Sequence, residues 1–354
     1  MIELLFPEDK KVISIKTSVL RKFDDMELSG KNRVGKSAYS WMGFPDNTIE
    51  CGRIFNAPAS VFFKWKCDDP SSKMIFEISL DPEFKSQGTK YGNCASVGEM
   101  IPSCEEDGLY YLQVENLYSG KRYYWRVVDS NGDYQVRYFD TVPNEYRMIR
   151  ADKICNIRDI GTWKTLSGRR IKQGMIYRGP AFRYEFSMQM WKVFVKDLGI
   201  KTEIDLRLEA VGTEFDTMLG PTINYLQIPL LEYGDVYKDF SPENVVKIID
   251  ILCDESNYPV YIHCAAGCDR TGTIIYLLLA ALGVEDDDII YEYNLTAASC
   301  DDVNFNKPLI NDMLNIINTR YPFASTMREK LKACLNELGV DDSKIEKLKT
   351  LLLE

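Results

Sequence analysis

Residues 260–274 read VYIHCAAGCDRTGTI. The first four are β-branched, aromatic or apolar and read as a buried strand, and a helix is expected to begin near Arg270 or Thr271. Between them lies a short loop of small residues. A strand–loop–helix turn of this kind is an anion site in α/β proteins: unpaired backbone N–H groups converge where the helix start carries partial positive charge. Ala265, Ala266 and Gly267 are small enough for the backbone to wrap around a tetrahedral anion. Arg270 adds a planar guanidinium that can hold two phosphoryl oxygens at once. Cys264 sits at the base of this cradle, where the same field favours its thiolate.

A thiolate beneath a bound phosphate, with an arginine clamp, suits in-line attack and a phosphocysteine intermediate. Thr271 is placed to donate to the sulfur and help it leave. His263, the single histidine of the chain, reads as an orienter that bonds the loop backbone. The bland alternative is a buried strand end with an inert cysteine. The combination of Cys, Gly, Arg and Thr at a strand-to-helix junction counts against it.

Working outward, 199–207 (GIKTEIDLR), 222–230 (TINYLQIPL) and 258–264 read as strands. Helical patterns such as SPENVVKIIDILCDE and EDDDIIYEYNLTA alternate with them, and residues from Asn311 onward read as helical, with Ser325 as a candidate cap. This is an α/β domain with a central sheet flanked by helices, expected over residues 154–354. The acidic start at 285–288 fits a helix N-terminus. Residues 144–153 read as a linker.

Before the linker the pattern is β. Segments 60–67, 73–80, 109–117, 121–129 and 134–142 are short, aromatic or β-branched, and separated by turn-forming stretches such as SNGD. An all-β sandwich is expected over 1–143. Trp65, then NLYSGKRYYWRV, then YFDTV, resemble the fibronectin type III-like fold over about residues 50–142. The resemblance implies that Trp65 packs in the core, that Leu117 and Tyr123 fill a corner, and that Trp125 and Val127 alternate inward. The first 50 residues fit it poorly.

Composition agrees with this two-part plan. A chain of 354 residues suggests two domains, and 45 % hydrophobic with 27 % charged residues is ordinary for a globular protein. No apolar run is long enough for a signal peptide or a membrane span, so a cytoplasmic home without membrane insertion is expected. The ten cysteines are scattered and form no CxxC pair. They read as reduced thiols, and no metal or other cofactor is expected. Residues 1–150 carry 20 basic and 22 acidic side chains and the remainder 23 and 31. That balance argues against nucleic acid as a partner while allowing an anionic substrate in a local basic pocket.

The residues HCAAGCDRTG carry the signature of cysteine-based protein phosphatases. With NIRDIGTWKTLSGRRIKQGMIYRG (156–179), LGIKTEIDLRLEA (198–210) and LGVEDDDIIYEYNLTA (282–297), they resemble the bacterial atypical tyrosine phosphatases of the mycobacterial protein tyrosine phosphatase B kind. That resemblance implies a cysteine-phosphatase fold acting on phosphorylated proteins or small phosphomonoesters. It implies Cys264 as nucleophile, Arg270 as clamp, Asp269 as general acid and Asp205 as a carboxylate near the active-site arginine. To act, Asp269 must hold a proton, which the positive cradle opposes until a phosphate dianion binds. Glu232, Asp235 and Asp239 therefore stay open as alternative acids. The family loop usually has a lysine where this chain has Cys268. A missing cation argues against polyanionic inositol lipids and for phosphotyrosine. Cys268 also raises the prospect of a disulfide with Cys264 on oxidation, if its side chain does not point away. Arg158, Asp159 and Arg178 read equally well as functional groups or as braces beneath the loop. The N-terminal module leaves room for a protein partner.

Overall fold

The computed structural model describes residues 2–28, 58–68, 74–85, 96–97, 103–105, 108–152, 154–182, 186–208, 217–239, 241–296 and 310–354. Within them the N-terminal part carries β1 (Ile2–Phe6), β2 (Lys11–Ile13), α1 (Ser18–Leu28), β3 (Val61–Cys67), β4 (Ile75–Ser79), β5 (Ser96–Val97), β6 (Ser103–Glu105), β7 (Leu109–Val114), β8 (Arg122–Val128) and β9 (Tyr134–Thr141). One sheet has the order β1-β3-β7-β6 and another β2-β9-β8-β4-β5. Strict alternation turns Val61, Phe63, Trp65 and Cys67 of β3 inward, and β8 does the same with Tyr123, Trp125 and Val127. These side chains share one core, in which the Phe63 and Trp125 rings meet edge to face at 5.1 Å. Leu117 is buried, and the Tyr123 hydroxyl accepts from the Tyr118 N–H at 2.8 Å. The expected five segments are strands. The expectation of an all-β module is corrected by α1, whose Leu20 and Phe23 are buried.

The second part contains β10 (Arg147–Met148), β11 (Arg158–Asp159), β12 (Ile176–Pro180), α2 (Met188–Trp191) continuing as a π-helical stretch (Lys192–Asp197), β13 (Thr202–Asp205) and β14 (Asn224–Gln227). After them come α3 (Ser241–Leu252), β15 (Val260–Cys264), α4 (Asp269–Leu282), α5 (Asp286–Asn294), α6 (Ile310–Arg320), α7 (Met327–Glu337) and α8 (Asp342–Leu352). The sheet order is β10-β11-β12-β15-β13-β14. The last four strands in that order run parallel, and β10 and β11 are antiparallel at one edge. β15 lies between β12 and β13 and is buried along its whole length, as a parallel strand covered on both faces must be. α4 is apolar all round, buried from Thr271 to Leu282, and stops at Gly283 in a left-handed conformation. The cap of α7 is Thr326 rather than Ser325: its side chain accepts from the Glu329 N–H and Glu329 reaches back, a reciprocal capping box.

Of residues 144–153, expected as a linker, 144–152 are tied into the fold. Arg147 and Met148 pair with Asp159 and Arg158 as the sheet edge, and Tyr146 to Ile149 are buried. The reason is Arg147, an alternating-pattern outlier whose guanidinium joins the two parts. It donates to Asn116 O (2.6 Å), Asp159 Oδ2 (3.0 Å) and the Tyr177 hydroxyl (3.0 Å), and stacks on the Tyr118 ring at 3.8 Å. Ser119 and Gln173 exchange two hydrogen bonds of 2.9 Å across the same junction. Asn116 and Arg150 exchange another two, of 2.7 and 2.9 Å. Among the described residues no helix is long and apolar enough to cross a membrane, and no cluster of His, Cys, Asp and Glu could hold a metal ion.

Candidate active site

Parallel strands bring their C-terminal ends to one edge of the sheet, the usual ligand edge of such folds. There Pro180 faces Cys264, and Asp205 faces His263. The loop that leaves β15 is pinned by the Ala181 N–H, which donates to Cys264 O at 2.8 Å. Cys264 is buried at the base, Gly267 and Cys268 are buried, and Ala265 and Ala266 lie exposed at the rim. Among the described residues, the N–H groups of Ala265, Ala266 and Gly267 donate to no acceptor. Three unpaired amides just before a 14-residue helix are an arrangement of the kind that can bind an anion. Gly267 cannot be anything else. Its φ is 72°, and a Cβ would sit 2.4 Å from the carbonyl carbon and oxygen of Gly179.

His263 points along the sheet rather than into the loop. Its Nε2 lies 2.9 Å from Glu203 Oε1, while Nδ1 is 3.4 Å from Cys264 O and 3.7 Å from Asp205 Oδ1. The register explains this: Glu203 faces Tyr261, so it is the diagonal neighbour of His263 on the same sheet face. The expected loop-backbone contact is thus the weaker of its bonds, and Glu203 is the orienting partner that sequence reading missed. Asp205, expected beside the loop arginine, has Arg207 as its arginine. The Arg207 fork reaches it at 2.6 to 3.0 Å, and the Tyr225 hydroxyl donates at 2.8 Å. Burial alone would raise the Asp205 carboxyl, but the Arg207 and Tyr225 hydrogen bonds and the nearby His263 hold it below its usual range.

Asp269 is the first residue of α4, and the Tyr233 hydroxyl donates a short hydrogen bond to its Oδ1. Tyr233 also sits 3.1 Å from the Tyr293 hydroxyl, and its N–H donates to Thr273 Oγ1 at 2.9 Å. Arg270 Nε lies 3.5 Å from Glu232 Oε2, so the 229–239 segment touches both loop residues. Of the alternative acids, Glu232 is therefore at the site, whereas Asp235 is half-exposed and paired with Lys238 at 2.5 Å and Asp239 is exposed. Thr271 is buried inside the first turn of α4, and its hydroxyl makes no hydrogen bond among the described residues. The donation to Cys264 expected from the sequence is not formed here. Cys268 and Cys264 are both free thiols; Cys268 Sγ turns toward Ala266 O (3.4 Å) and Asn156 Nδ2 (3.6 Å).

Arg158 and Arg178 are braces. Both are fully buried and share Glu292 of α5: Arg158 Nε to Oε1 at 2.6 Å and Arg178 NH1 to Oε2 at 2.8 Å. Arg178 also donates to Gly267 O at 2.5 Å, and Arg158 to Asn156 Oδ1 at 2.5 Å. Asn156 in turn donates to Ala266 O at 3.0 Å. Two loop carbonyls are thus held by side chains of β12 and of the segment before β11. Asp159 belongs to the module junction through Arg147 and the Gly161 and Gly174 N–H groups. Burial raises the Glu292 carboxyl and the two arginines outweigh it, so the group stays below its ordinary value. The sequence signal for Glu292 was a charge on the apolar face of α5, three positions after the buried Ile289.

The arrangement defines a thiol-and-arginine oxyanion loop on a parallel sheet. Residues 149–354 match the model of the tyrosine phosphatase family, more than half of the chain, and the chain belongs to that family. It is 28 % identical over 168 residues to a Cupriavidus necator protein named "Putative tyrosine-protein phosphatase H16_A0669", covering 40 % of this chain and 60 % of that one. It is 34 % identical over 77 residues to the vaccinia virus dual specificity protein phosphatase OPG106, covering 21 % and 43 %. The chain thus spans about half the length of these curated relatives. Among solved structures, the core catalytic domain of the PP-IP phosphatase SIW14 from S. cerevisiae, in complex with citrate, is 21 % identical with a TM-score of 0.29, covering 42 % and 88 %. DUSP15 is 20 % identical with a TM-score of 0.28, covering 47 % and 93 %.

Proposed function

We propose that this chain hydrolyses phosphomonoesters, with phosphotyrosine on proteins as its preferred substrate, through a phosphocysteine intermediate. The observation that carries this is the run of unpaired Ala265, Ala266 and Gly267 amides between Cys264 and the start of α4. Cys264 Sγ attacks phosphorus as the ester P–O bond breaks, and Asp269 gives its proton to the leaving oxygen. Water then attacks phosphorus, Asp269 takes a proton from it, and the S–P bond breaks to release phosphate. Arg270 holds equatorial oxygens, and Thr271 turns its hydroxyl to the departing sulfur.

Phosphotyrosine is favoured over inositol phosphates because Cys268 adds no cation to the cradle and is buried. The N-terminal module is read as fibronectin type III-like, supported by its two sheets around one core and by the Tyr123 corner. The catalytic unit starts near Arg147 in this reading, close to where the family match begins. We also read the chain as one of the bacterial atypical group, on its four motifs. The test is turnover of p-nitrophenyl phosphate by pure, reduced protein in the presence of a chelator, followed by phosphotyrosine peptides against inositol phosphates. Turnover at roughly 1–10³ s⁻¹ is expected, faster with the peptides. Absence of any turnover overturns the hydrolase reading, and faster inositol phosphate hydrolysis overturns the substrate assignment.

A further inference from the structure

We infer that Tyr233 is a positioning residue for the general acid: its hydroxyl occupies Asp269 Oδ1 and leaves Oδ2 to carry the transferable proton. This rests on the reading of Asp269 as the acid. Three observations point to it. Tyr233 has φ 50°, a backbone region that bulky residues rarely adopt and that persists where the surroundings enforce it. It is enforced here by two contacts with α4: the Tyr233 N–H on Thr273 Oγ1, which itself bonds Asp269 O, and the Tyr233 hydroxyl on Asp269 Oδ1. The ring is nearly buried, and its hydroxyl is backed by that of Tyr293.

Tyr233 is the donor in this pair. Burial, followed by Tyr293 and Asp269, raises the Tyr233 phenol far above its usual value, so it keeps its proton throughout the working range. With Tyr233 donating to Oδ1, as in this structure, that oxygen is the acceptor of the carboxyl and Oδ2 is the one left to hold a proton. The proton that moves to the leaving oxygen therefore leaves from Oδ2, and Tyr233 exchanges none. Sequence distance hid this pairing, since 36 residues separate the two.

The test uses leaving groups of different basicity. An acid matters most for a poor leaving group, so in the full chain Tyr233→Phe is expected to lower kcat/KM for phenyl phosphate by about 10- to 100-fold, a part of the roughly 10²- to 10⁴-fold that a general acid contributes. For p-nitrophenyl phosphate, whose leaving group needs little help, the loss is expected to stay below about 3-fold. Competitive inhibition by inorganic phosphate is expected to be unchanged, which shows an intact loop. Tyr293→Phe should give a smaller loss with the same dependence on leaving group. Asp269→Asn serves as the reference. If it shows leaving-group dependence and Tyr233→Phe does not, or loses both substrates equally, the role of Tyr233 is overturned. If Asp269→Asn itself lacks that dependence, the acid assignment falls instead.

Discussion

Cys264→Ser is expected to lower turnover of p-nitrophenyl phosphate by at least about 10⁴-fold while inorganic phosphate still binds within a few-fold of its wild-type affinity. The two halves of this result separate the two jobs of the loop. In the proposed reading binding rests on backbone amides and Arg270, and a hydroxyl in place of the thiol leaves the Ala181-to-Cys264 and Arg178-to-Gly267 contacts with the carbonyls in place. In the proposed mechanism chemistry rests on the sulfur as nucleophile, and a serine hydroxyl at the same point is a far weaker one. The measurements are kcat and the inhibition constant of phosphate on the same preparation. Residual turnover within about tenfold of wild type would remove Cys264 from the mechanism. Loss of phosphate binding along with turnover would mean that the sulfur, not the backbone, organises the cradle.

What could be read from the sequence follows from how local each feature is. The turn from β15 into α4 is written in fifteen consecutive residues, because strand, small-residue loop and helix each have a short-range pattern. The inward alternation of β3 and β8 is equally local, and so both were legible. The partners that hold the loop come from elsewhere: Glu203 lies 60 residues before His263, and Glu292 lies 114 residues after Arg178. A carboxylate on a strand buried on both faces, or on the apolar face of a helix, announces that a counter-charge exists without saying which. Asp205 shows the same limit from the other side. The resemblance implied a carboxylate near the active-site arginine, and the arginine whose fork it accepts is Arg207, two residues away. Residues 144–153 were misread because turn-like composition hides a buried cation, and Arg147 makes that segment the seam of the molecule.

Glu292→Gln should be the most destabilising conservative change in the catalytic part. The carboxylate is the shared counter-ion of two guanidinium groups with no access to water, and an amide leaves both positive charges uncompensated. Breaking a buried ion pair from one side costs about 3–5 kcal/mol. The loss should be seen in urea unfolding at neutral pH, with turnover falling as well because Arg178 loses its hold on the Gly267 carbonyl. Its pH dependence gives a second, independent reading. The folded-state value of Glu292 lies below the ordinary 4.5, so its contribution is complete above 4.5 and is lost as pH falls through the depressed folded value. The difference in stability between wild type and Glu292→Gln should therefore be constant from neutral pH to about 4.5 and shrink below it, because protonated Glu292 and glutamine are near-equivalents. A difference that stays constant down through the acid range would show that the brace works by shape and hydrogen bonding rather than by charge. A difference near zero at neutral pH would show that the two arginines find other partners.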